Sequence, residues 1–468
     1  MSKKIKDEIN INDIEFPSNG IGLYNGNTVL VNNTVPGQKA LVLMKKKHGK
    51  FEGNLIKVTK KAEYEINSDC EQFGICGGCT FRNIPYDKEL DIKKNNVLKL
   101  LNKNGIDKFE FLGIDAAPNT DCYRNKMEFS FGDTSKDGDL SLGMRKRQSY
   151  YEVAYAGKCK IIHNDIRKIL DYTLEYFKNT NETFYHKTKK TGSLRHLLVR
   201  KSFYTGQILI NLVTTSSFNI SLDKYTKNLT KLNLEGNING IVHTVNDSVA
   251  DIIHVDKMNI LYGKDFFTEK LLGLNFKISM FSFFQTNSQG AEILYSAVKD
   301  FAGNIKDKVV FDLYCGTGTI AQIFSQHAKN VIGIEIVESA VKSAIENASL
   351  NNINNCKFIC ADVLDEVDKL SETPDIIVLD PPRAGIHPKA IGKIASFNAP
   401  KIIYISCKAS SLSKDLISFI NYGYKIEKIK CVDMFPRTYH VETVVLLSKL
   451  SNKHIDVDIN MDKLNLTN

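Results

Sequence analysis

The sequence predicts an α/β protein whose C-terminal part is a doubly wound parallel sheet, preceded by two β-rich regions. After about residue 280, short apolar runs such as VVFDL and IIVLD alternate with helical patterns, which is typical of parallel βαβ units. Residues 8–60 and much of 120–270 instead alternate polar and apolar residues with the period of strands. A chain of 468 residues is long enough for two or three domains.

These patterns divide the chain into four predicted regions. Gly- and Asn-rich turns separate the short strands near the N-terminus, which favours a small β-barrel. The strand pattern that follows predicts a central β-rich domain, and the last residues form a polar tail. The predicted boundaries are a barrel at 1–62, a central domain at 63–270, an α/β domain at 271–450 and a tail at 451–468.

Composition favours a cytoplasmic protein. The N-terminal MSKKIKDEIN lacks the apolar run of a signal peptide, and no stretch of about 18 apolar residues exists, so we expect no membrane partner. The ten cysteines should then be reduced, which favours metal or catalytic roles over disulfides. The net charge is +9, and residues 1–60 hold ten lysines against five acids. This excess suggests a polyanionic partner, although a modest excess also serves solubility.

A group of basic residues lies between two predicted N-terminal strands, next to Phe51. Its members are Lys45, Lys46, Lys47, His48 and Lys50, and we expect them in one hairpin loop. Such a loop is typical of an RNA-binding clamp. A solvated loop explains the same residues equally well.

The segment VVFDLYCGTGTIA (309–321) predicts a strand, a Gly-rich turn and a helix, the arrangement that binds a ligand at the carboxyl end of a parallel sheet. Gly316 and Gly318 allow close approach of the backbone, and the missing third glycine favours S-adenosylmethionine over NAD. Glu335, at the end of the second strand, can accept both ribose hydroxyls. Each acid alone is equally typical of a residue that caps the following helix. The ordered set, which continues with Asp312, Asp362 and Asp380, predicts a class I methyltransferase.

The next strand ends place a thiol and a carboxylate near the expected methyl donor. Asp380 begins the segment DPPR, where Arg383 replaces the aromatic residue typical of enzymes that methylate exocyclic amines. Cys407 follows an apolar strand, and we expect the adjacent helix start to lower its pKa. Glu442 precedes the last strand. A thiolate and a carboxylate base suit methylation of uracil C5, which becomes nucleophilic only after Cys407 adds to C6.

Three cysteines, Cys70, Cys76 and Cys79, lie within ten positions in SDCEQFGICGGCT. A tetrahedral zinc ion or a cubane iron–sulfur cluster needs a fourth ligand, for which Cys122, Cys159 and His163 are candidates. The spacing alone leaves the metal open.

The chain resembles the RNA 5-methyluridine methyltransferase family, in particular its bacterial 23S ribosomal RNA (uracil-5-)-methyltransferases with a TRAM domain. The segments FSFFQTN, DLYCGTGTIA, VLDPPRAG, ISC and FPRTYHVETV match in order, and the resemblance covers about residues 8–450. It implies an OB-like TRAM barrel, a nucleophilic Cys407 and a basic Glu442. It implies S-adenosylmethionine contacts from Gln285, Tyr314, Glu335, Asp362 and Asp380. It implies a [4Fe–4S] cluster on Cys70, Cys76, Cys79 and Cys159.

The expected function is therefore S-adenosylmethionine-dependent methylation of a uridine in 23S ribosomal RNA by a monomeric enzyme. The family usually continues the nucleophile as Ser-Cys-Asn-Pro, whereas this chain has Lys408 and Ala409 after Cys407. This difference keeps a non-catalytic RNA-binding iron–sulfur protein as an alternative. Transfer RNA is the alternative substrate, but the family's transfer-RNA members typically lack the barrel and the cysteine cluster.

Overall fold

The computed structural model of the protein describes residues 4–47, 50–147, 149, 152–250 and 253–450. The strands of these residues form four sheets, of six, seven, two and eight strands. None of the helices described here is long and apolar enough to cross a bilayer. His48 and the predicted polar tail at 451–468 lie outside the described residues.

The N-terminal region is a six-stranded sheet around a small apolar core that includes Ile9, Val31 and Val42. Its strands follow the order β1-β5-β6-β4-β3-β2. They are β1 (Ile5–Asn10), β2 (Asp13–Glu15), β3 (Asn19–Tyr24), β4 (Asn27–Asn32), β5 (Lys39–Lys47) and β6 (Lys50–Lys60). The predicted strand-rich character of this region is confirmed.

The prediction for the basic hairpin was wrong in two respects. Lys45 and Lys46 lie within strand β5, where they pair with Glu52 and Phe51 of β6, and not in a loop. Lys47 is the last residue of β5 and pairs with Lys50, the first residue of β6. The Phe51 side chain is buried in the apolar core and packs edge-on against the Tyr24 ring. It therefore stabilises the sheet and does not lie on the RNA-facing side of a loop.

Helix α1 (Tyr86–Lys103) and strand β7 (Glu110–Asp115) come next along the chain, before the central sheet begins. The central sheet has the order β10-β9-β8-β11-β12-β13-β14. Its elements are β8 (Lys126–Asp133), β9 (Leu140–Arg145), β10 (Val153–Tyr155), α2 (Asn164–Lys178), β11 (Leu194–Lys201), β12 (Gln207–Thr214), α3 (Asp223–Leu229), β13 (Asn237–Val245) and β14 (Lys257–Gly263). Helices α2 and α3 pack on one face of this sheet through Leu170, Phe177 and Tyr225. A hairpin, β15 (Phe266–Leu271) and β16 (Leu274–Ser279), packs on the other face.

The C-terminal sheet has eight strands in the order β19-β18-β17-β20-β21-β23-β22-β7. Strands β17 to β21 pair in parallel, whereas β23 is antiparallel to both of its neighbours. The strands and helices are α4 (Ser288–Ala302), β17 (Val309–Leu313), α5 (Thr319–Ser325), β18 (Asn330–Glu335), α6 (Glu338–Leu350), β19 (Cys356–Cys360), α7 (Val363–Glu366), a 3-10 helix (Val367–Lys369), β20 (Ile376–Leu379), α8 (Pro388–Ser396), β21 (Lys401–Ser406), α9 (Ala409–Asn421), β22 (Tyr424–Val432) and β23 (Glu442–Lys449).

Two apolar cores cover the two faces of this sheet, which confirms the predicted doubly wound α/β fold. One core packs α4 and α5 against the sheet, and the other packs α1, α8 and α9 against the opposite face. The central strands IIVL and IIYIS are almost wholly buried, because helices cover a parallel sheet on both sides.

The C-terminal sheet also recruits residues from the range predicted for the central domain. Strand β7 pairs in parallel with β22 and forms one edge of the sheet. Helix α1 packs through Val97 and Leu101 into the core that holds Leu412 and Leu416 of α9. The predicted boundaries stay predictions, but 86–115 pack with the α/β region although they fall inside 63–270.

Candidate active site

The predicted nucleophile and base lie at the carboxyl edge of the C-terminal sheet, on adjacent strands. Strand β21 ends at Ser406, directly before Cys407. Strand β23 runs in the opposite direction and therefore begins at this same edge, with Glu442. Ser406 pairs with Thr443 in the ladder, so Cys407 and Glu442 are the next residues outward on the two strands. The strand register thus brings together two residues that lie 35 positions apart.

The Glu442 carboxyl is in a nearly closed environment, with 5% of the residue exposed. Burial and, to a smaller extent, the nearby Asp380 carboxylate raise the pKa of Glu442 to about 8, although the Arg383 guanidinium opposes this rise. Burial likewise raises the pKa of Asp380, to about 7. The two carboxyls therefore hold protons more readily than exposed ones, and for Glu442 this agrees with the predicted role as a general base.

The pKa of Cys407 is raised, not lowered as the sequence analysis expected. Partial burial is the main cause, and the Glu442 carboxylate next to the thiol adds to it, because both disfavour a thiolate. Arg383 opposes this rise through its charge and a hydrogen bond to the thiol.

Arg383 is a functional candidate whose role the sequence analysis missed. In the sequence, Arg383 was notable only because it replaces the aromatic residue that is typical of enzymes that methylate exocyclic amines. In the structure its guanidinium is the cation that lowers the pKa of both Cys407 and Glu442. The segment DPPR already showed a cation after strand β20. Its proximity to Cys407 could not be predicted, because it depends on the pairing of strands β20 and β21.

The turn after Cys407 is well formed without the Asn-Pro of related sequences. Lys408 donates its backbone N–H to Ser406 Oγ at 3.1 Å, and helix α9 begins at Ala409. Ser411 then donates its N–H and its hydroxyl to the Lys408 carbonyl, at 3.1 and 3.0 Å. Hydrogen bonds of the Ser406 and Ser411 hydroxyls therefore stabilise this turn in the absence of a proline.

The acids of the predicted cofactor crevice follow their strand ends, and each also caps nearby backbone. Glu335 accepts backbone N–H groups from Gly316 at 3.1 Å and Val337 at 3.0 Å. Asp362 accepts from Leu364 at 2.8 Å. A carboxylate oxygen that accepts one N–H keeps a second lone pair, so capping leaves both groups able to accept ligand hydroxyls.

Asp312 differs from these acids because it is fully buried beneath the Gly-rich turn. One oxygen accepts the Ala321 N–H at 2.8 Å, and burial raises the pKa of Asp312 to about 8. Its role in the structure is to anchor the first turns of helix α5. Tyr314, in the turn itself, has a left-handed backbone with φ of 68°. Burial, together with the charge of Asp362, raises the pKa of its hydroxyl to about 12.

Gln285 lies on the segment between β16 and α4 and reaches the same edge of the sheet. Its side chain hydrogen-bonds the buried Tyr295 hydroxyl, which lies near Asp380 and Glu442. Asn125 of the central region donates its side-chain amide to the Gln285 carbonyl at 3.1 Å. The central region and the predicted cofactor site are thus in direct contact.

The cysteine cluster forms a separate site. Cys70, Cys76, Cys79 and Cys159 together line one cavity of about 240 Å³. Arg147 supports its wall by donating to the backbone carbonyls of Cys76 at 3.0 Å and Cys79 at 2.6 Å. Burial raises the pKa of Cys79 to about 12 and that of Cys159 to about 11, with the neighbouring sulfurs contributing to both.

The two other candidate ligands are placed elsewhere. Cys122 is exposed and does not line the cavity. His163 caps helix α2 by accepting the Asp165 N–H. It also lies beside Asp165 and Glu235, and the side-chain N and O atoms of the three residues that could bind a metal lie within 4.8 Å of one another. The Lys201 ammonium sits 2.8 Å from His163 Nδ1 and 2.7 Å from Asp165 Oδ2, so a cation already occupies that group.

With this geometry in view, the chain can be compared with known proteins. A family profile described as tRNA (Uracil-5-)-methyltransferase matches residues 85–450. The chain belongs to this family. A relative from Clostridium tetani, named as an uncharacterized RNA methyltransferase, is 49% identical over 96% of this chain and 99% of its own length. A relative of the same description from Caldanaerobacter subterraneus is 46% identical over 94% of this chain and 98% of its own.

A solved structure has the same fold across nearly the whole molecule. It is the Pyrococcus abyssi tRNA (uracil-54, C5)-methyltransferase in complex with S-adenosyl-L-homocysteine, with a TM-score of 0.75 and 23% sequence identity. The match covers 94% of this chain and 100% of that one. The protein is thus an RNA methyltransferase with the α/β methyltransferase fold, and family membership supports S-adenosylmethionine as its methyl donor.

Proposed function

We propose that this protein methylates C5 of a uridine in 23S ribosomal RNA, in the cytoplasm and as a monomer, through a covalent bond between Cys407 and C6 of the uracil. The observation that carries this proposal is the strand register that sets Cys407 beside Glu442, with Arg383 next to both. A methyltransferase of exocyclic amines needs neither a thiol nor a carboxylate base in this position.

The chemistry assigns one task to each group. Cys407 Sγ, as the thiolate, adds to C6, and the electrons of the C5–C6 double bond move into an enolate. C5 of this enolate takes the methyl group that S-adenosylmethionine supplies from its sulfonium. Glu442 then removes the C5 proton, the C5–C6 double bond re-forms, and the C6–S bond breaks with its electron pair on sulfur. Arg383 favours the anionic state of Cys407 at the start and again when the thiolate leaves.

The residues at the strand ends fit the methyl donor. Its ribose hydroxyls require acceptors, which Glu335 supplies, and the Gly-rich turn lets backbone approach the ligand. We propose that Gln285, Tyr314, Glu335, Asp362 and Asp380 hold it. Tyr295, which hydrogen-bonds Gln285 and lies near Asp380, links the two sides of this binding site.

The cysteine cavity supplies a donor set that fits an iron–sulfur cluster, because four thiols line it. Zinc also binds four thiolates, so the choice of an iron–sulfur cluster rests on the family resemblance. We propose that Cys70, Cys76, Cys79 and Cys159 hold a [4Fe–4S] cluster, which supports the fold or the RNA-binding face, because methyl transfer moves no electrons.

The proposal also specifies ribosomal RNA, and not transfer RNA, as the substrate. The set of four cysteines supports this choice. The ribosomal members of the resembling family carry this cluster. The N-terminal sheet no longer separates the two substrates, since the Pyrococcus abyssi transfer-RNA enzyme aligns with 94% of this chain. We retain this sheet as a TRAM-like RNA-binding module, with its exposed Lys45 and Lys46 available to phosphates.

The test is a trapping experiment with RNA that carries 5-fluorouridine, in which fluorine replaces the proton that Glu442 must remove. With S-adenosylmethionine present, the wild-type protein should form an SDS-stable adduct with 23S ribosomal RNA fragments and not with transfer RNA. Cys407→Ala should form none. Absence of the wild-type adduct, or an adduct with Cys407→Ala, would overturn the covalent mechanism, and trapping of transfer RNA alone would overturn the substrate assignment.

A further inference from the structure

The loop between β22 and β23 is held by an unusual set of contacts just before Glu442. Four consecutive backbone carbonyls, those of residues 434 to 437, each accept hydrogen bonds from a different distant part of the chain. The pairs are Asn287 Nδ2 to Met434 O at 2.9 Å, Lys93 Nζ to Phe435 O at 3.3 Å, Tyr123 OH to Pro436 O at 2.9 Å, and the Thr80 and Phe81 N–H groups to Arg437 O at 2.7 and 3.0 Å.

These donors belong to four different parts of the chain, all of which pack around the loop before Glu442. Asn287 caps helix α4 beside the predicted cofactor segment, and Lys93 lies on helix α1. Tyr123 precedes the first strand of the central sheet. Thr80 directly follows Cys79, the last cysteine of the clustered three. One short loop therefore contacts the cofactor side, the central region and the cysteine segment at once.

A buried ion network fixes the base of this loop. Lys93 Nζ lies 2.7 Å from both Glu89 Oε1 and Asp433 Oδ1, and these three residues are almost completely buried. Glu89 Oε1 also accepts the Arg437 N–H at 2.6 Å. Tyr86 donates to the other Asp433 oxygen at 2.8 Å. Buried charges that pair in this way resist displacement, because moving Lys93 takes the ammonium away from two buried carboxylates at once.

The loop connects this network to Glu442 over a short distance along the chain. Val432, the last residue of β22, pairs with Glu442 across the ladder, so the loop leaves and returns at the catalytic edge. Arg437 has a left-handed backbone, with φ of 68°, which turns the chain at the middle of the loop. Thr438 and His440, between that turn and Glu442, line the cysteine cavity. The loop therefore has the cysteine site on one side and the base at its end.

We propose that residues 433–441 form a positioning loop for Glu442, and that Tyr123 and Lys93 are positioning residues that act through its carbonyls. This inference rests on the proposed function, since it assigns Glu442 the removal of the C5 proton. That step follows methyl transfer, so a displaced Glu442 slows elimination while addition of Cys407 still occurs. The methylated uracil then stays bound to Cys407 Sγ through C6, with its C5 proton in place.

The decisive variant is Tyr123→Phe, tested beside a matched control. Tyr123 is 3% exposed, and the change removes only a hydroxyl that donates to the Pro436 carbonyl. Tyr424 is 1% exposed and its hydroxyl donates to the Ala399 carbonyl at 3.1 Å, in the same sheet region but away from the loop. Tyr424→Phe therefore removes an equivalent buried hydrogen bond without touching residues 433–441.

The measurement is the fraction of protein trapped as an SDS-stable adduct during turnover on RNA with ordinary uridine, together with kcat and KM for both substrates. Tyr123→Phe should lower kcat about fivefold, as expected for the loss of one neutral hydrogen bond, and raise the trapped fraction severalfold. The ratio kcat/KM should stay unchanged, because methyl transfer precedes the slowed step. Tyr424→Phe should behave as wild type in all of these. Lys93→Met should give the same pattern with an effect on the order of a hundredfold, because it removes the ammonium that pairs with the buried Glu89 and Asp433 carboxylates.

Each outcome decides between the two levels of the proposal. If wild type forms no adduct with 5-fluorouridine RNA, the covalent mechanism fails and the positioning role fails with it. If that adduct forms but Tyr123→Phe leaves kcat and the trapped fraction on ordinary RNA unchanged, only the positioning role is overturned. An equal rise of the trapped fraction in Tyr424→Phe also overturns it. If Lys93→Met fails to fold, Tyr123→Phe alone decides.

Discussion

The reaction centre and the cysteine cavity both depend on cysteines, yet the fold builds them in different ways. Cys407 and Glu442 lie at the ends of paired strands, and the ladder between β21 and β23 sets their separation. Cys70, Cys79 and Cys159 lie in turns and loops, outside any strand or helix. Their arrangement depends on local contacts such as those from Arg147 to the backbone of the cysteine segment.

This difference indicates which of the two sites should lose its local structure when one of its own side chains is replaced. A strand end stays in place when its side chain changes, because backbone hydrogen bonds and the buried cores hold the strand. A loop whose thiols share a cluster loses that cross-link when one thiol is removed, since the binding energy of the cluster is also folding energy. Substitutions at the reaction centre should therefore change chemistry, and substitutions in the cavity should change structure first.

The largest expected effect is at the cavity. Cys159→Ser should remove the iron from anaerobically purified protein, which should otherwise be brown with about four irons per chain. Cys122→Ser is the control, because Cys122 is exposed and outside the cavity, and it should keep the iron. Iron content and the visible spectrum measure this. Zinc in the native protein, or full iron in Cys159→Ser, would contradict the cluster assignment.

A smaller effect is expected for Arg383→Met at the reaction centre. The guanidinium lowers the pKa of both Cys407 and Glu442, so its removal should raise both. In the proposed mechanism Cys407 and Glu442 both act in their deprotonated forms, so activity rises with pH, and the rising limb of the kcat profile should move to higher pH. We expect a loss on the order of tenfold at pH 7 that narrows as the pH increases. A uniform loss at every pH would show that Arg383 does not tune these groups.

The smallest expected effect is the change in the free energy of unfolding caused by Glu442→Gln, which should differ in sign from that of a cysteine substitution in the cavity. Burial raises the pKa of Glu442 from 4.5 to about 8, so the folded state retains a proton that the unfolded state loses as the pH rises between these values. The carboxyl therefore lowers the free energy of unfolding progressively over that window. Glu442→Gln removes this penalty, and at pH 8 it should raise the free energy of unfolding by about 1–3 kcal/mol.

Denaturant unfolding of the wild type and Glu442→Gln at pH 5 and pH 8 checks this expectation. The difference between the two proteins should be small at pH 5, where the carboxyl is protonated in the folded state. A stabilisation of the same size at both pH values would rule out titration of Glu442 as its cause. Cys159→Ser should show the opposite sign, a loss of stability, because it removes a ligand of the proposed cluster.

Local sequence patterns were sufficient to predict the α/β fold and to propose most of the candidate site residues. Apolar strands followed by Gly, Asp, Glu or Cys predicted the parallel sheet and the residues at its carboxyl edge, because those residues directly follow their own strands. Cys407 and Glu442 could be named from such segments. The four cysteines could be named as well, although the fourth came from the family resemblance and not from spacing.

Other features depend on contacts between distant segments, which no local pattern reports. Strand β7 joins the C-terminal sheet from within the central range, and Phe51 turns into a core although charged residues flank it. The raised pKa of Cys407 reflects partial burial and the nearby Glu442. The contacts of the 434–437 carbonyls join residues more than 140 positions apart.

The sequence by itself therefore determined the α/β class, the order of the strands along the chain and the chemical identity of the reacting groups, since these follow from local periodicity and side-chain type. The tertiary structure alone decided which strands are neighbours, that Arg383 acts on Cys407, and that the cysteine segment contacts the loop before Glu442. Strand pairing and desolvation arise from the whole folded chain, so they set the spacing and the pKa values that local residue patterns leave open.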